Sequence, residues 1–273
     1  MTRVDSTFTG AFPVLPQRLV DRLFAVFTAV VIALLLLPLV AILALSLYPD
    51  GWSQLTSSPT LDAYAAIVND GPLLAAISLS VQLAFVTALV TTPIAFLAAA
   101  GTRKAAKRSA LIGFFLLPVF MPGISVGFAL IVYFQLISIS LSELTIVLGH
   151  VLWTFPFAYI IILTSMASFD SHLKEAAYDL GASEWRAFID VELPHIKPGL
   201  IGAAIFSFTL SFNEFARTTL VRGPMDTLPT FILGRVDTRG LDDTVFAVSG
   251  LTIIFTTILL MLFGYFLWRA TKQ

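Results

Sequence analysis

Long apolar runs separated by short polar connections dominate this chain. Six stand out: Arg22–Leu47, Leu73–Ala100, Ser109–Leu136, Leu144–Met166, Gly199–Val221 and Val245–Trp268. Each is long enough to cross ~30 Å of hydrocarbon as a helix, which takes about 20 residues. None alternates apolar and polar positions as the strands of a membrane barrel do. Backbone inside lipid must satisfy its own hydrogen bonds, so runs of this kind fold as helices. The pattern predicts an all-α membrane protein: a six-helix transmembrane bundle over residues 22–268, a tail over 1–21, a short tail over 269–273, and one long polar interruption over 170–198.

Composition agrees. Hydrophobic residues make up 58% of the chain, charged residues 12%, and the mean hydropathy is +0.92. Soluble domains carry about 25% charged residues. Cysteine is absent, which excludes disulfides and thiolate metal sites. His150, His172 and His195 lie far apart in sequence and form no ligand spacing, so no metal site and no catalytic set is expected. Nothing in the charge pattern points to nucleic acid.

The distribution of charge gives an orientation. Arg3, Arg18 and Arg22 precede the first run; Arg103, Lys104, Lys107 and Arg108 follow the second; Lys174, Arg186 and Lys197 follow the fourth; Arg269 and Lys272 end the chain. The connections Tyr48–Pro72 and Ile137–Glu143 have no Lys or Arg. The positive-inside rule then places both termini and the 170–198 loop in the cytoplasm. The fifth connection breaks the pattern with Arg222, Arg235 and Arg239, but it also holds Asp226, Asp237, Asp242 and Asp243, and an even number of spans puts it outside. Ala44-Leu45-Ser46 looks like a signal-peptidase site, but the apolar core before it exceeds the usual 7–15 residues of a signal peptide, so a retained helix is expected.

The polar interruption carries its own helix signals. Asp170 or Ser171 suits a helix N-cap. Leu173, Ala176, Ala177 and Leu180 recur at helical spacing, and Gly181 stands where a left-handed C-terminal residue is needed. Ser183 suits the cap of a second helix over Glu184–Leu193, which Pro194 should stop. A pair lying flat on the membrane surface is the competing reading; Asp179, Glu184, Asp190 and Glu192 argue against it, because that surface is anionic. A helix–turn–helix with one small-residue face fits a groove on a partner better.

Glu175-Ala176-Ala177, Gly181 and Val191-Glu192-Leu193-Pro194 resemble the EAA loop of type I ABC importer permeases, the inner-membrane components of binding-protein-dependent transport systems. Val191 stands where that family more often has Ile. The resemblance covers the core from Leu73 to Trp268. It implies that the first loop helix is a coupling helix docking into a cytoplasmic ATPase, with Glu175, Ala176, Ala177, Gly181, Leu193 and Pro194 carrying the role. It also implies the partners: a second permease, which in polyamine-type systems is a different chain, two ATPases that hold ATP and magnesium, and an extracytoplasmic solute-binding protein. The sequence supports that division of labour independently, since no G-x-x-x-x-G-K-[ST] phosphate loop occurs in it. The chain is then a transport subunit, not an enzyme, with no cofactor of its own.

Within the fifth run, Asn213 and Glu214 are followed by Arg217 one helical turn on. A carboxylate in lipid costs roughly 2.5–3.5 kcal/mol on insertion scales, so it faces a cavity or a partner. Two readings stand open: Asn213 and Glu214 border the permeation path, flanked by Phe208, Phe212 and Phe215, or Glu214 and Arg217 pair to finish a helix end. Ser211-Phe212-Asn213-Glu214 and Thr227-Leu228-Pro229 resemble in outline the polyamine branch of the family, which implies putrescine or spermidine as cargo. Ammonium groups need counter-charge and aromatic faces. The same segments occur more loosely in iron, thiamine, opine and amino-acid importers, which stay open as alternatives. From a different class, an ion-coupled secondary transporter would use Glu214 as its cation site. Elsewhere, Pro118, Pro122 and Pro156 should kink helices. Gly123 and Gly127 form a G-x-x-x-G that suits close helix packing, and Trp153 and Trp268 read as interfacial anchors or packing residues.

Overall fold

The computed structural model describes residues 16–48 and 58–272. Residues 1–15 of the N-terminal tail, with Arg3, lie outside the described residues, as do 49–57 of the first connection and residue 273. Twelve α-helices follow in order among the described residues: α1 Gln17–Leu45, α2 Asp62–Asn69, α3 Gly71–Lys104, α4 Arg108–Leu116, α5 Gly123–Leu136, α6 Glu143–Ala167, α7 Ser171–Asp179, α8 Glu184–Arg186, α9 Leu193–Phe212, α10 Thr218–Val221, α11 Leu228–Arg239 and α12 Asp243–Lys272.

Helices α1, α3, α6 and α12 are each long and apolar enough to cross a membrane. They match four of the expected spans to within a few residues, although α1 begins at Gln17, so Arg18 and Arg22 sit in its first turns rather than in a tail.

The third expected span is not one rod. Helix α4 runs on into a 3-10 turn, Leu117–Phe120, and the segment Arg108–Phe120 meets α5 at 95°. Pro118 and Pro122 explain the break: each lacks an N–H, and each ring crowds the carbonyl one turn back. Pro156, by contrast, sits inside an unbroken α6, where neighbouring helices enclose it.

The fifth expected span also differs. Helix α9 ends at Phe212, well short of Val221, and the chain resumes helix only in α10. Its first turns hold Pro194, His195, Lys197 and Pro198.

Helices α3, α6 and α9 form the centre. Ala95, Ala99, Ala158, Tyr159, Ile162, Met166, Ile196 and Ala203 pack as one buried cluster, and the alanines let the backbones approach. Hydroxyls pair across this centre: Thr91 and Thr154 lie 2.9 Å apart, and the Tyr159 hydroxyl donates to Thr102 Oγ1 at 3.0 Å.

The closest approach is at Gly199, where an added Cβ would sit 2.3 Å from both Cβ and Oγ of Ser165 on α6. Overpacking of this kind costs about 1–3 kcal/mol. Gly199→Ala should therefore lower the thermal midpoint of the detergent-solubilised chain, and Ser165→Gly should recover most of the loss.

Gly123 and Gly127 pack within the chain. A Cβ on Gly123 would meet Ala216 at 3.0 Å, and one on Gly127 would meet Leu220 at 2.7 Å, so the two glycines seat α5 against the 216–220 segment.

Candidate functional site: the polar loop and the break after α9

The loop begins with the Asp170 carboxylate accepting the His172 N–H at 3.0 Å, which satisfies one orphan donor of α7. At the other end, Ala182 N–H donates to the Ala177 carbonyl at 3.0 Å and Gly181 N–H donates to that of Tyr178 at 2.9 Å. This is a Schellman closure, and it requires the left-handed backbone that Gly181 adopts at φ +85°. The Ser183 hydroxyl then accepts the Arg186 N–H at 3.3 Å and starts α8.

Pro194 does not stop the second loop helix. Helix α8 widens into a π-helical stretch, Ala187–Glu192, and continues straight into α9 with Pro194 in the first turn. The i→i+5 spacing accommodates a residue that cannot donate and whose ring needs room one turn back. The second loop helix is thereby the base of α9. Leu193 is half-buried in it, and Pro194 is exposed.

No residue of α7 is buried. Glu175 and Ala176 are exposed and Ala177 is half-buried; Glu175 Oε2 lies 3.2 Å from His172 Nδ1. Leu173 and Tyr178 are exposed as well, Leu180 is 89% exposed just beyond the helix, and Trp185 is 71% exposed. An apolar set of this kind on a polar loop marks a surface awaiting a partner.

One residue of this region gave little signal in the sequence. Glu192 is only 5% exposed, and its two carboxylate oxygens accept from Arg103 Nη1 at 2.6 Å and Lys174 Nζ at 2.8 Å. Burial raises the Glu192 pKa, but the Lys174 and Arg103 hydrogen bonds outweigh it and hold the group below the ordinary carboxylate range. The hydrogen bond to Glu192 likewise raises Lys174. A carboxylate with a depressed folded pKa stabilises above its unfolded value, and that stabilisation is lost as pH falls through the folded one. The pair is therefore fully formed at neutral pH.

At the break after α9, the Asn213 Nδ2 donates back to the Thr209 carbonyl at 2.8 Å and closes the helix end. Glu214 is 7% exposed and Arg217 3%. Glu214 Oε1 accepts the Arg217 N–H at 2.7 Å, and Oε2 accepts from Arg217 Nη1 at 3.1 Å. The Arg217 guanidinium also lies over the Trp153 ring, 4.2 Å from its centre. Trp153 is thus a packing residue at a buried charge. His150 joins the same cluster: its Nδ1 lies 2.7 Å from Ser211 Oγ and its Nε2 2.7 Å from Thr218 Oγ1, so α6 bridges the two sides of the break.

The helix-end pair of the two open readings is formed, while Asn213 and Thr219 are exposed and Phe215 is half-buried. Phe208 and Phe212 stack on each other at 6.2 Å, and both meet Phe255 of α12. Phe212 is buried; Phe208 lines an apolar groove of about 470 Å³ with Phe85, Leu89 and Pro93 of α3.

Beyond the break, Thr227 caps α11 through a capping box with Thr230, and Pro229 sits in its first turn, so Thr227-Leu228-Pro229 is a turn into a short helix. Arg235 of α11 pairs with Asp70 and Asp242 and ties this end of the bundle together.

A bundle of membrane-length helices carrying an ordered polar loop with an unpartnered apolar face defines a membrane-embedded subunit of a larger assembly. The chain belongs to the family of binding-protein-dependent transport system inner membrane components, whose model matches residues 91–272. It is a permease component of an ABC importer and a transport subunit, not an enzyme, located in the inner membrane.

Among relatives, it is 28% identical over 239 residues to the spermidine/putrescine transport system permease protein PotC of Haemophilus influenzae, covering 86% of this chain and 93% of that one. It is 26% identical over 220 residues to the putrescine transport system permease protein PotI of Escherichia coli K12, covering 77% and 78%. A bacterial ABC transporter involved in the import of the acidic polysaccharide alginate shares the fold, with a TM-score of 0.66, 16% identity, and coverage of 92% of this chain and 96% of that one. The MetNI methionine ABC transporter, in an inward-facing form, matches with a TM-score of 0.61, 16% identity, and coverage of 73% and 96%.

Proposed function

We propose that this chain forms half of the translocation path of an ATP-driven importer for a polyamine such as putrescine or spermidine. The observation that carries the importer mechanism is α7: capped at both ends, closed by Gly181 in a left-handed conformation, and without a buried residue. In this reading α7 docks into a cytoplasmic ATPase through Glu175, Ala176, Ala177 and the Gly181 turn, and Leu193 and Pro194 join it to α9. Two ATPases close on nucleotide, draw the coupling helices of two permeases together, and rock the bundle between inward-facing and outward-facing states. This is a bistable element biased by a ligand. The bent α4–α5 pair counts as one span and α9 as another, which gives six spans with both termini cytoplasmic. Ser168 Oγ lies 3.5 Å from the Ala270 carbonyl, which supports placing the C-terminus at the α7 end.

Polyamine as cargo is supported by the relatives, which match along most of their length and are polyamine permeases by name. The side chains add less than the sequence suggested. Glu214 is paired internally with Arg217, while Asn213 is exposed near the break and Phe208 and Phe215 are half-buried. Cationic recognition then rests partly on the second permease, which we take to be a different chain.

The chain should be purified from its native membranes in mild detergent. An ATPase and a second permease should co-purify, and the associated binding protein should take up putrescine or spermidine in a calorimetric titration. A chain that emerges alone and moves solute in ATP-free vesicles overturns the importer mechanism. A binding protein that ignores polyamines and binds another solute overturns the cargo alone.

A further inference from the structure

Helix α7 has no buried residue, and only its Lys174 and Ala177 are half-buried. Behind it lies a cleft of about 650 Å³, walled by Phe96 and Ala100 of α3, Met166 of α6, and Phe169, Trp185 and Phe188. Ser171 and Lys174 are the α7 residues at its rim. Across such a gap, close packing transmits little displacement, because van der Waals attraction falls away within about 1 Å. The tie that spans the gap is polar. Lys174 of α7 reaches Glu192, and Glu192 reaches Arg103 in the last turn of α3. Glu192 itself lies on the π-helical stretch that runs unbroken into α9.

We propose that Glu192 is a positioning residue for coupling, locking α7 to the ends of α3 and α9 so that a push on α7 moves both membrane helices together. The inference rests on the proposed importer function and names the residue that conveys the stroke.

Three features make Glu192 suited to it. The residue is buried, so bulk water screens its attractions weakly. Both of its oxygens are engaged by charged donors at short distance, and such bonds are stiffer than neutral ones. Its backbone is continuous with α9, so no loop intervenes between the contact and the moving helix. Helix α7 also lies alongside the 187–192 stretch and joins its neighbours through the turns at 168–170 and Gly181.

The test uses the whole transporter reconstituted in vesicles with its ATPases and binding protein, and reads solute taken up per ATP hydrolysed. Glu192→Gln keeps the shape and removes the charge; Glu192→Ala removes both. Each should lower uptake per ATP by about five- to tenfold, within the usual range of coupling between sites. The ATPases should still co-purify at the parental ratio, because the docking face of α7 is untouched. Arg103→Glu, Glu192→Arg and Lys174→Glu combined restore the attractions with reversed signs and should recover most of the ratio.

Parental uptake per ATP in Glu192→Gln overturns the proposal. So does a charge-inverted triple variant that stays as defective as the single ones, since that marks Glu192 as a folding requirement only. Should Glu192→Ala fail to accumulate in the membrane, the Gln variant and the triple variant decide. A parental complex that takes up solute without ATP overturns the importer function itself and is thereby distinguishable.

Discussion

Glu175→Ala combined with Gly181→Trp will leave ATP hydrolysis running while uptake per ATP falls by about tenfold or more, toward the upper part of the usual coupling range. The two changes act on different properties of one helix end. Glu175 is exposed on α7, so its removal takes a polar contact from the docking face without disturbing the chain's own packing. Gly181 is held at φ +85°, and an added Cβ would meet nothing within 4 Å. The cost of a larger residue there is conformational, about 1–2 kcal/mol for a left-handed backbone, and it falls on the closure that ends α7. A tryptophan side chain also projects into the space a partner would fill. Gly181→Asn is the matched control, since asparagine tolerates that backbone; it should retain most of the uptake. Reconstituted uptake and ATPase rates measured together check the result. Normal uptake in the double variant would remove this loop from coupling altogether.

The loop was legible because its signals are local. A cap, an apolar period and a glycine at the right interval each act over one helical turn, and Asp170, Gly181 and Ser183 all do in the structure what their spacing indicated. The long spans were legible for the same reason: length and apolarity decide them. What escaped the sequence depends on contacts between distant segments. Pro194 read as a stop because proline usually is one, yet a widened turn upstream let the helix continue. Glu192 counted only as one of four acids against a helix lying on the membrane; its pairing with Arg103, 89 positions away, gave no local signal. The two prolines of the third span signalled a kink, but not its 95° size nor the seating of α5 on the 216–220 segment at Gly123 and Gly127.

The break after α9 shows how a polar pattern can carry two meanings at once. Asn213, Glu214 and Arg217 fit a permeation path and a helix end equally well as a string of letters. In three dimensions Glu214 is spent locally: it accepts the backbone N–H that begins the next helical segment and holds the guanidinium above it. The hydroxyls of Ser211 and Thr218 contact His150, and Thr218 Oγ1 donates to the Glu214 carbonyl at 2.9 Å. Polar groups at the broken helix are thus largely re-satisfied from within the chain, as hydrocarbon surroundings demand, although Arg217 Nε is buried without a hydrogen-bond partner.

That arrangement predicts a large and asymmetric response to mutation. Arg217→Ala leaves the Glu214 carboxylate buried without its partner and should destabilise the chain by about 3–5 kcal/mol, the usual cost of breaking a buried pair. Glu214→Gln combined with Arg217→Gln removes both charges together and should cost much less, because no uncompensated charge remains. Thermal unfolding of the detergent-solubilised variants measures the difference; equal losses in the single and paired variants would mean that the pair is not electrostatically coupled. The paired variant also separates the two meanings of Glu214. A chain that is close to parental in stability and still imports labelled putrescine with unchanged kinetics has used the pair only to finish α9. One that is equally stable but no longer imports has used the same carboxylate a second time, when the bundle opens and the break faces the path.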